Sequence, residues 1–357
     1  MSTEPESAVI YPSHAINRTY FPSLNGLRGI SIILIVVFHL WPDALGIIFN
    51  GALGVNIFFV LSGFLITSLC IKEINITNGL SLKNFYLRRI LRIFPVAYLY
   101  ILVIFLLNII FQLDVKWIQF AGASLYLANF SYFRSHDFSW FFGHYWSLAT
   151  EEQFYLIFPV FLKGGKKLFF FAVVFIVFVV PVLCSLQVAY PVLNTGFLYF
   201  FTHYFIKFQS IAVGCLFSIL TLSKVFDSTY LAKTKIPGNL IAIFFIFYLR
   251  FNAFYAIENI YTNLLISIFT AYIIISNLVP ANDWINKTLN LKALSFIGVL
   301  SYSIYIWQQI FTSNNSHLPK YIVEYPYNLI WIIAIPCISY YFFERYFLLL
   351  KKRFKIV

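Results

Sequence analysis

Apolar residues along this chain come in long unbroken runs rather than in alternation. Ten such runs fall at approximately 27–41, 51–71, 93–112, 146–163, 167–186, 203–222, 238–252, 259–279, 294–312 and 326–348. A helix needs roughly 20 apolar residues to cross a bilayer. Unbroken runs fit helices, whereas a membrane β-barrel would alternate with a period of two. The pattern predicts an all-α integral membrane protein with about ten transmembrane helices. A weaker stretch, 118–133, is amphipathic, ends in polar residues and reads as an interfacial or re-entrant piece. Residues 1–22 read as a polar tail, 23–348 as one membrane domain and 349–357 as a short basic tail. No internal repeat or low-complexity tract interrupts this plan.

Composition narrows the class. Of 357 residues, 61% are hydrophobic and only 11% charged, where a soluble domain carries charge at about a quarter of its positions. A cytosolic globular enzyme and a disordered chain are both excluded. The net charge of +12 would suggest nucleic acid in a soluble protein; here it sorts by loop, so no nucleic-acid partner is expected. Lys72, Lys83, Arg88, Arg89, Arg92, the lysines at 163, 166 and 167, and those at 351 and 352 fall on one side of the predicted spans. The other side keeps little beyond Lys116, Arg134, Arg250 and Lys320. The positive-inside rule then places both termini in the cytoplasm. Trp41, Trp140, Trp146, Trp307 and Trp331 fall near the outer interface, where indole rings are favoured. The N-terminus has no signal-peptide pattern. Four cysteines without a CxxC pair, and no His, Cys or carboxylate set at ligand spacing, give no expectation of a disulfide or a metal.

The informative residues are polar ones in apolar company, because a charge at mid-bilayer costs about 2.5–3.5 kcal/mol. Arg28 and His39 stand 11 residues apart in the first run. That spacing puts both on one helix face, about 16 Å apart along the axis. Histidine is the natural general base near neutral pH, and the alternative is an interfacial arginine with a histidine capping a helix end. In the second run, Gly54, Ser62 and Gly63 are small; close helix packing is the better reading, with Ser62 as a conceivable nucleophile. Arg88, Arg89 and Arg92 enter the third run from the basic side, and an arginine fork binds phosphate bidentately. A positive-inside anchor is the plainer alternative for that trio. Glu151 and Glu152 lie in the fourth run about 100° apart. Two adjacent acids there point to function, with one carboxylate orienting His39 as the third member of a triad does. His144 just precedes them and reads as interfacial. In the ninth run Ser301, Tyr305 and Gln308 or Gln309 form a polar stripe that either lines a cavity or joins helices.

Taken in order, LNGLRG with its downstream His39, FFVLSGFLIT, RRILRIFP, WSLATEEQFY and SYSIYIWQ resemble the integral-membrane acyltransferase 3 family over roughly residues 23 to 348. That resemblance implies an O-acetyltransferase of bacterial surface polysaccharides. It implies an acyl donor, acetyl-CoA, bound from the cytoplasm and a carbohydrate acceptor reached from the other side of the bacterial inner membrane. It further implies that Arg28 and His39 are essential, that Arg88, Arg89 and Arg92 bind the donor, and that Glu151 and Glu152 matter for catalysis. Ser62, Trp146, Tyr305 and Gln308 are the candidate substrate-binding or cavity-lining residues. Lipopolysaccharide O-antigen is the favoured acceptor on family grounds, with other surface or lipid-linked glycans open. Asn56 and Gln308 stand where many members have Asp and His, each keeping a hydrogen-bonding group but losing a titratable one. The fused esterase-like domain of many members is not expected here. A flippase for a lipid-linked sugar would also use intramembrane charge, but it fits poorly with one basic cluster at one end and a His/Glu set at the other. A membrane glycosyltransferase fits less well again, because the first outer loop offers only Asp43.

Overall fold

A computed structural model of the chain describes residues 22–42, 51–134, 139–193, 196–226, 228–252, 256–278 and 282–354, and it holds helices and turns with no strand among the described residues. In chain order the helices are α1 (Pro22–Leu40), α2 (Gly51–Thr77), α3 (Leu82–Phe111), α4 (Trp117–Ser124), α5 (Tyr145–Gly164), α6 (Lys166–Ala189) and α7 (Gly196–Leu222). They continue with α8 (Ser228–Asn252), α9 (Ala256–Ser276), α10 (Trp284–Leu289), α11 (Lys292–Phe311), α12 (Lys320–Val323) and α13 (Tyr327–Phe354). The chain is an all-α integral membrane protein. Among the described residues eight helices are long and apolar enough to cross a bilayer: α1, α2, α3, α6, α7, α8, α11 and α13. The pattern predicted about ten. The other two runs are helical as well, but Glu151, Glu152 and Gln153 dilute α5, and α9 supplies only the shorter apolar stretch Ile260–Ser276. The amphipathic stretch 118–133 becomes the eight-residue α4, with Trp117 exposed at its start, and a 3-10 turn at Ser131–Arg134.

The chain divides into two compact units. The first takes residues 1–27, 56–69 and 170–295. Its helices meet through small residues: a Cβ at Gly63 would lie 1.9 Å from the Ile211 carbonyl oxygen, and one at Gly214 would lie 2.1 Å from that of Val60. So α2 and α7 touch backbone to backbone, as small residues allow in a membrane. Two buried polar sets in this unit join its helices. The Asn56 amide donates to Ser210 Oγ at 2.9 Å and to Ser267 Oγ at 3.1 Å, joining α2, α7 and α9. Lys235, only 3% exposed at its side chain, pairs with Asp283 at 2.8 Å.

The second unit takes residues 28–55, 70–169 and 296–357. Its centre is α3, where Val96, Ala97, Tyr100 and Ile104 are fully buried. Pro95 within α3 lacks an N–H, and tyrosines clasp the backbone on either side of it. Tyr302 of α11 donates to the Ile93 carbonyl at 2.6 Å, and Tyr145 of α5 to that of Ala97 at 2.8 Å. A Cβ at Gly54 would sit 2.5 Å from the Ser31 carbonyl oxygen, which lets α2 close on α1. The end of α13 packs along α3, and Arg88 Nη1 donates to the Phe354 carbonyl at 3.0 Å. Helical structure thus runs past residue 348 to Phe354.

Candidate active site

Within the second unit α1 carries a basic region near one end and a histidine at the other. Arg28 lies within electrostatic reach of Arg89, Arg92, Glu151 and Tyr155. Lys351, from the end of α13, joins the same cations. Three arginines of α3 were expected to act together, and they divide. Arg88 is held by Glu73, whose Oε2 accepts from Nη2 at 2.8 Å, and by the Phe354 carbonyl. Glu73 Oε1 also accepts from the Ser81 backbone N–H at 2.9 Å, so Arg88 ties α2, α3 and α13 together. Arg89 instead lies with its Cζ 4.7 Å from the Tyr155 ring centre, a cation–π contact that holds the guanidinium without neutralising it. Tyr155 donates to Glu151 Oε1 through a short hydrogen bond. Glu344 is buried in the π-helical turn of α13, accepts a short hydrogen bond from Ser303 and acts electrostatically on Arg92. The region gathers Arg28, Arg89, Arg92 and Lys351, and charge-assisted donors of this kind suit phosphate oxygens.

At the other end His39 Nδ1 lies 2.9 Å from Gln308 Oε1. The direction of this bond follows from its neighbours. Gln309 Nε2 donates to the Trp140 carbonyl at 2.9 Å, and a carbonyl can only accept. Gln309 therefore turns its Oε1 to Gln308 Nε2, also at 2.9 Å. That leaves Gln308 Oε1 toward His39, so Nδ1 carries the proton and Nε2 the lone pair. The amide chain is braced at its far end. Trp140 Nε1 donates to the Gln309 carbonyl at 2.9 Å, and a Cβ at Gly143 would lie 3.0 Å from Gln309 Nε2, so glycine lets the 140–143 turn close on it. The Trp140 indole meets the His39 ring edge-on at 5.4 Å between centres. His39 and Trp140 line a cavity of about 530 Å³ together with Asp114, Ser139, Thr312 and Asn315, within the usual range for a small-ligand site.

This arrangement corrects one expectation. Neither Glu151 nor Glu152 orients His39: Gln308 does, while Glu151 is engaged with Tyr155 and acts on Arg28. The physical reason is position, since the carboxylates sit a turn or more into α5, on the side of the basic region. Glu152 is nearly buried, and its Oε1 has no hydrogen-bond partner among the described residues. Gln308 is placed with His39, but behind it rather than on the cavity wall. Tyr305 bonds Ser147 closely and donates to the His144 carbonyl at 3.1 Å. Trp146 lies in the first turn of α5, away from the cavity lining, and Ser62 belongs to the first unit. His144 and Trp307 are buried inside the second unit. His144 is 3% exposed among the rings of Tyr100, Tyr145 and Tyr305, with centres at 5.2, 4.9 and 5.4 Å. Trp307 is buried against Tyr100. The sequence named Gln309 as a member of the polar stripe, but it gave Trp140 only an interfacial place and did not mark Asp114. The last two lie in connections between helices, where no periodicity marks them.

A family model described as "Acyltransferase domain" matches residues 21–343. The peptidoglycan O-acetyltransferase OatA of Listeria monocytogenes is 31% identical over 312 residues, covering 82% of this chain and 49% of the relative. The O-acetyltransferase OatA of Staphylococcus aureus is 30% identical over 356 residues, covering 91% of this chain and 57% of the relative. The chain thus spans about half the length of these relatives. No solved structure matches it.

Proposed function

Since the chain belongs to the acyltransferase 3 family, we propose that it is a membrane O-acetyltransferase that moves an acetyl group from acetyl-CoA to a hydroxyl of a cell-surface glycan. The observation that carries this reading is the fixed tautomer of His39: a basic Nε2 on a ring that lines a cavity, one helix length from a cluster of cations. In this reading the phosphates of the donor dock on Arg28, Arg89 and Arg92 at the cytoplasmic face, with both termini on that side of a bacterial inner membrane. The pantetheine arm runs along α1 and brings the thioester to His39. The acceptor hydroxyl enters through the cavity, and His39 Nε2 takes its proton as the oxygen attacks the thioester carbonyl. The tetrahedral intermediate collapses, the C–S bond breaks, and the departing thiolate takes the proton from the imidazolium. General-base help of this kind contributes about 10²–10⁴-fold. Glu151, through Tyr155, keeps Arg28 and Arg89 in place.

For the acceptor, the name of the Listeria relative favours peptidoglycan, ahead of the O-antigen that the motifs alone suggested. Both are hydroxyl-bearing glycans outside the membrane. The test is O-acetyl content of purified peptidoglycan and of surface polysaccharide, read by NMR, in cells expressing the intact chain or His39→Ala at matched membrane levels. An acetyl signal that requires both the chain and His39 is expected, and the glycan that carries it names the acceptor. Acetylation undiminished in His39→Ala would overturn the catalytic assignment.

A further inference from the structure

The cavity beside His39 has walls of a particular kind. One is an aromatic plate: the Trp140 indole is 41% exposed although its ring N–H is held by the Gln309 carbonyl and its edge by His39. Another is a carboxylate, Asp114, on the connection that leaves α3. A third is a run of short polar side chains after α11: Thr312, Ser313 and Asn315.

The Asp114 connection is held in an unusual shape. Gln112 and Asp114 both have left-handed backbones, with φ of 51° and 56°, a conformation that costs a residue with a side chain and persists only where its surroundings impose it. The surroundings are explicit. The Asn108 side chain accepts from the Val115 N–H at 2.9 Å and donates to its carbonyl at 3.2 Å. His317 Nδ1 reaches the Phe111 carbonyl at 3.1 Å and ties the end of α3 to the segment after α11. Asp114 is therefore delivered to the cavity mouth by a braced loop, although it takes no part in the His39 chain.

We propose that this cavity is the acceptor subsite and that it grips one sugar residue, with the pyranose C–H face on the Trp140 indole and its hydroxyls on Asp114. The chemistry of the walls supports a sugar over a peptide or a lipid. An indole face covers the apolar side of a ring, while a carboxylate accepts hydrogen bonds from adjacent hydroxyls, and such bonds to a charged group are the stronger ones. Because Trp140 and His39 line the same cavity with their ring centres 5.4 Å apart, a sugar seated on the indole brings its hydroxyls within reach of the imidazole. The proposal rests on the O-acetyltransferase reading only for what happens next to that hydroxyl.

The experiment uses the full chain in nanodiscs and a soluble oligosaccharide of N-acetylglucosamine as the probe. Saturation-transfer NMR measures sugar binding; acetyl transfer from radiolabelled acetyl-CoA is measured alongside, in membranes containing the host glycan. Binding is expected in the intact chain and is expected to weaken about 10–100-fold in Asp114→Ala, the loss for one charge-assisted hydrogen bond, and by about as much in Trp140→Ala, the loss of the apolar surface an aromatic ring covers. Acetyl-CoA affinity serves as the folding control and is expected to hold in both. Asp114→Asn, which keeps the shape and one acceptor, is expected to fall between. No binding by the intact chain, or equal binding by both alanine variants with donor affinity intact, overturns the subsite. Sugar binding that depends on both residues, without any acetyl transfer by the intact chain, leaves the subsite standing and removes the enzymatic reading.

Discussion

The two ends of α1 treat polar groups in opposite ways. Around Arg28 several cations gather, and one of them, the Arg89 guanidinium, rests on the Tyr155 ring. Behind His39 the amide groups of Gln308 and Gln309 are chained in a fixed direction, down to the Trp140 carbonyl. The first arrangement concentrates positive charge. The second turns the His39 Nε2 lone pair away from the amide chain. The difference separates binding from chemistry: concentrated positive charge suits a polyanion, whereas a locked imidazole suits a single proton transfer. Lys235 and Asp283 in the other unit supply the contrast, a buried charge with its own counter-ion.

This comparison can be broken at its strongest point first. His39→Ala is expected to lower acetyl transfer about 10²–10⁴-fold while leaving acetyl-CoA affinity unchanged. A rise in the donor dissociation constant instead would merge the two ends into one site. Arg92→Ala and Arg89→Ala are expected to do the reverse, raising KM for acetyl-CoA about 10–100-fold, as loss of a charge-assisted hydrogen bond does, with kcat nearly held. Steady-state kinetics at saturating acceptor decides it. Gln308→Leu is expected to cost about tenfold in kcat, the equivalent of one ordinary hydrogen bond and a released tautomer. Gln308→Glu keeps an acceptor for Nδ1–H and should recover part of that loss; failure to recover would argue against orientation as the role of this residue. The smallest kinetic effect belongs to Arg88→Met. Its partners are Glu73 and a carbonyl, so it should lower the thermal midpoint by loosening α13 from α3 while KM for the donor stays put. A KM change as large as that of Arg92 would return Arg88 to the donor site.

Much of this was legible in the sequence, for reasons that can be stated. Long apolar runs report helices directly, and the 11-residue step from Arg28 to His39 fixes a shared face because α1 is one continuous helix. Small residues at Gly54 and Gly63 mark real close approaches. What the sequence did not carry was which helix faces which. The choice between Glu151 and Gln308 as the partner of His39 depends on the rotation of α5 and α11 about their own axes, a tertiary quantity. Triad logic supplied the carboxylate, and the structure supplied an amide. The same holds for Arg88: an i,i+4 pair with Arg92 says they share a face, but not that Glu73 already occupies one of them. Trp140 carried the signature of an interfacial belt, and only its bonds to Gln309 reveal another use. His144 read as interfacial because nothing in one dimension shows three tyrosines closing around it.

The amide chain behind His39 has one more consequence. Two glutamine side chains ending on a backbone carbonyl can orient a ring, yet amides neither gain nor lose protons near neutral pH, so the chain is an insulator rather than a wire. A histidine at position 308 would offer a back door through which the proton could escape to another titratable group. With Gln308 in its place that exit is shut. Under the proposed mechanism the proton taken from the acceptor would stay on His39 until the departing thiolate of the donor takes it from the front of the ring. Each turnover then resets the imidazole by itself, with no separate step needed to return it to the form in which it began.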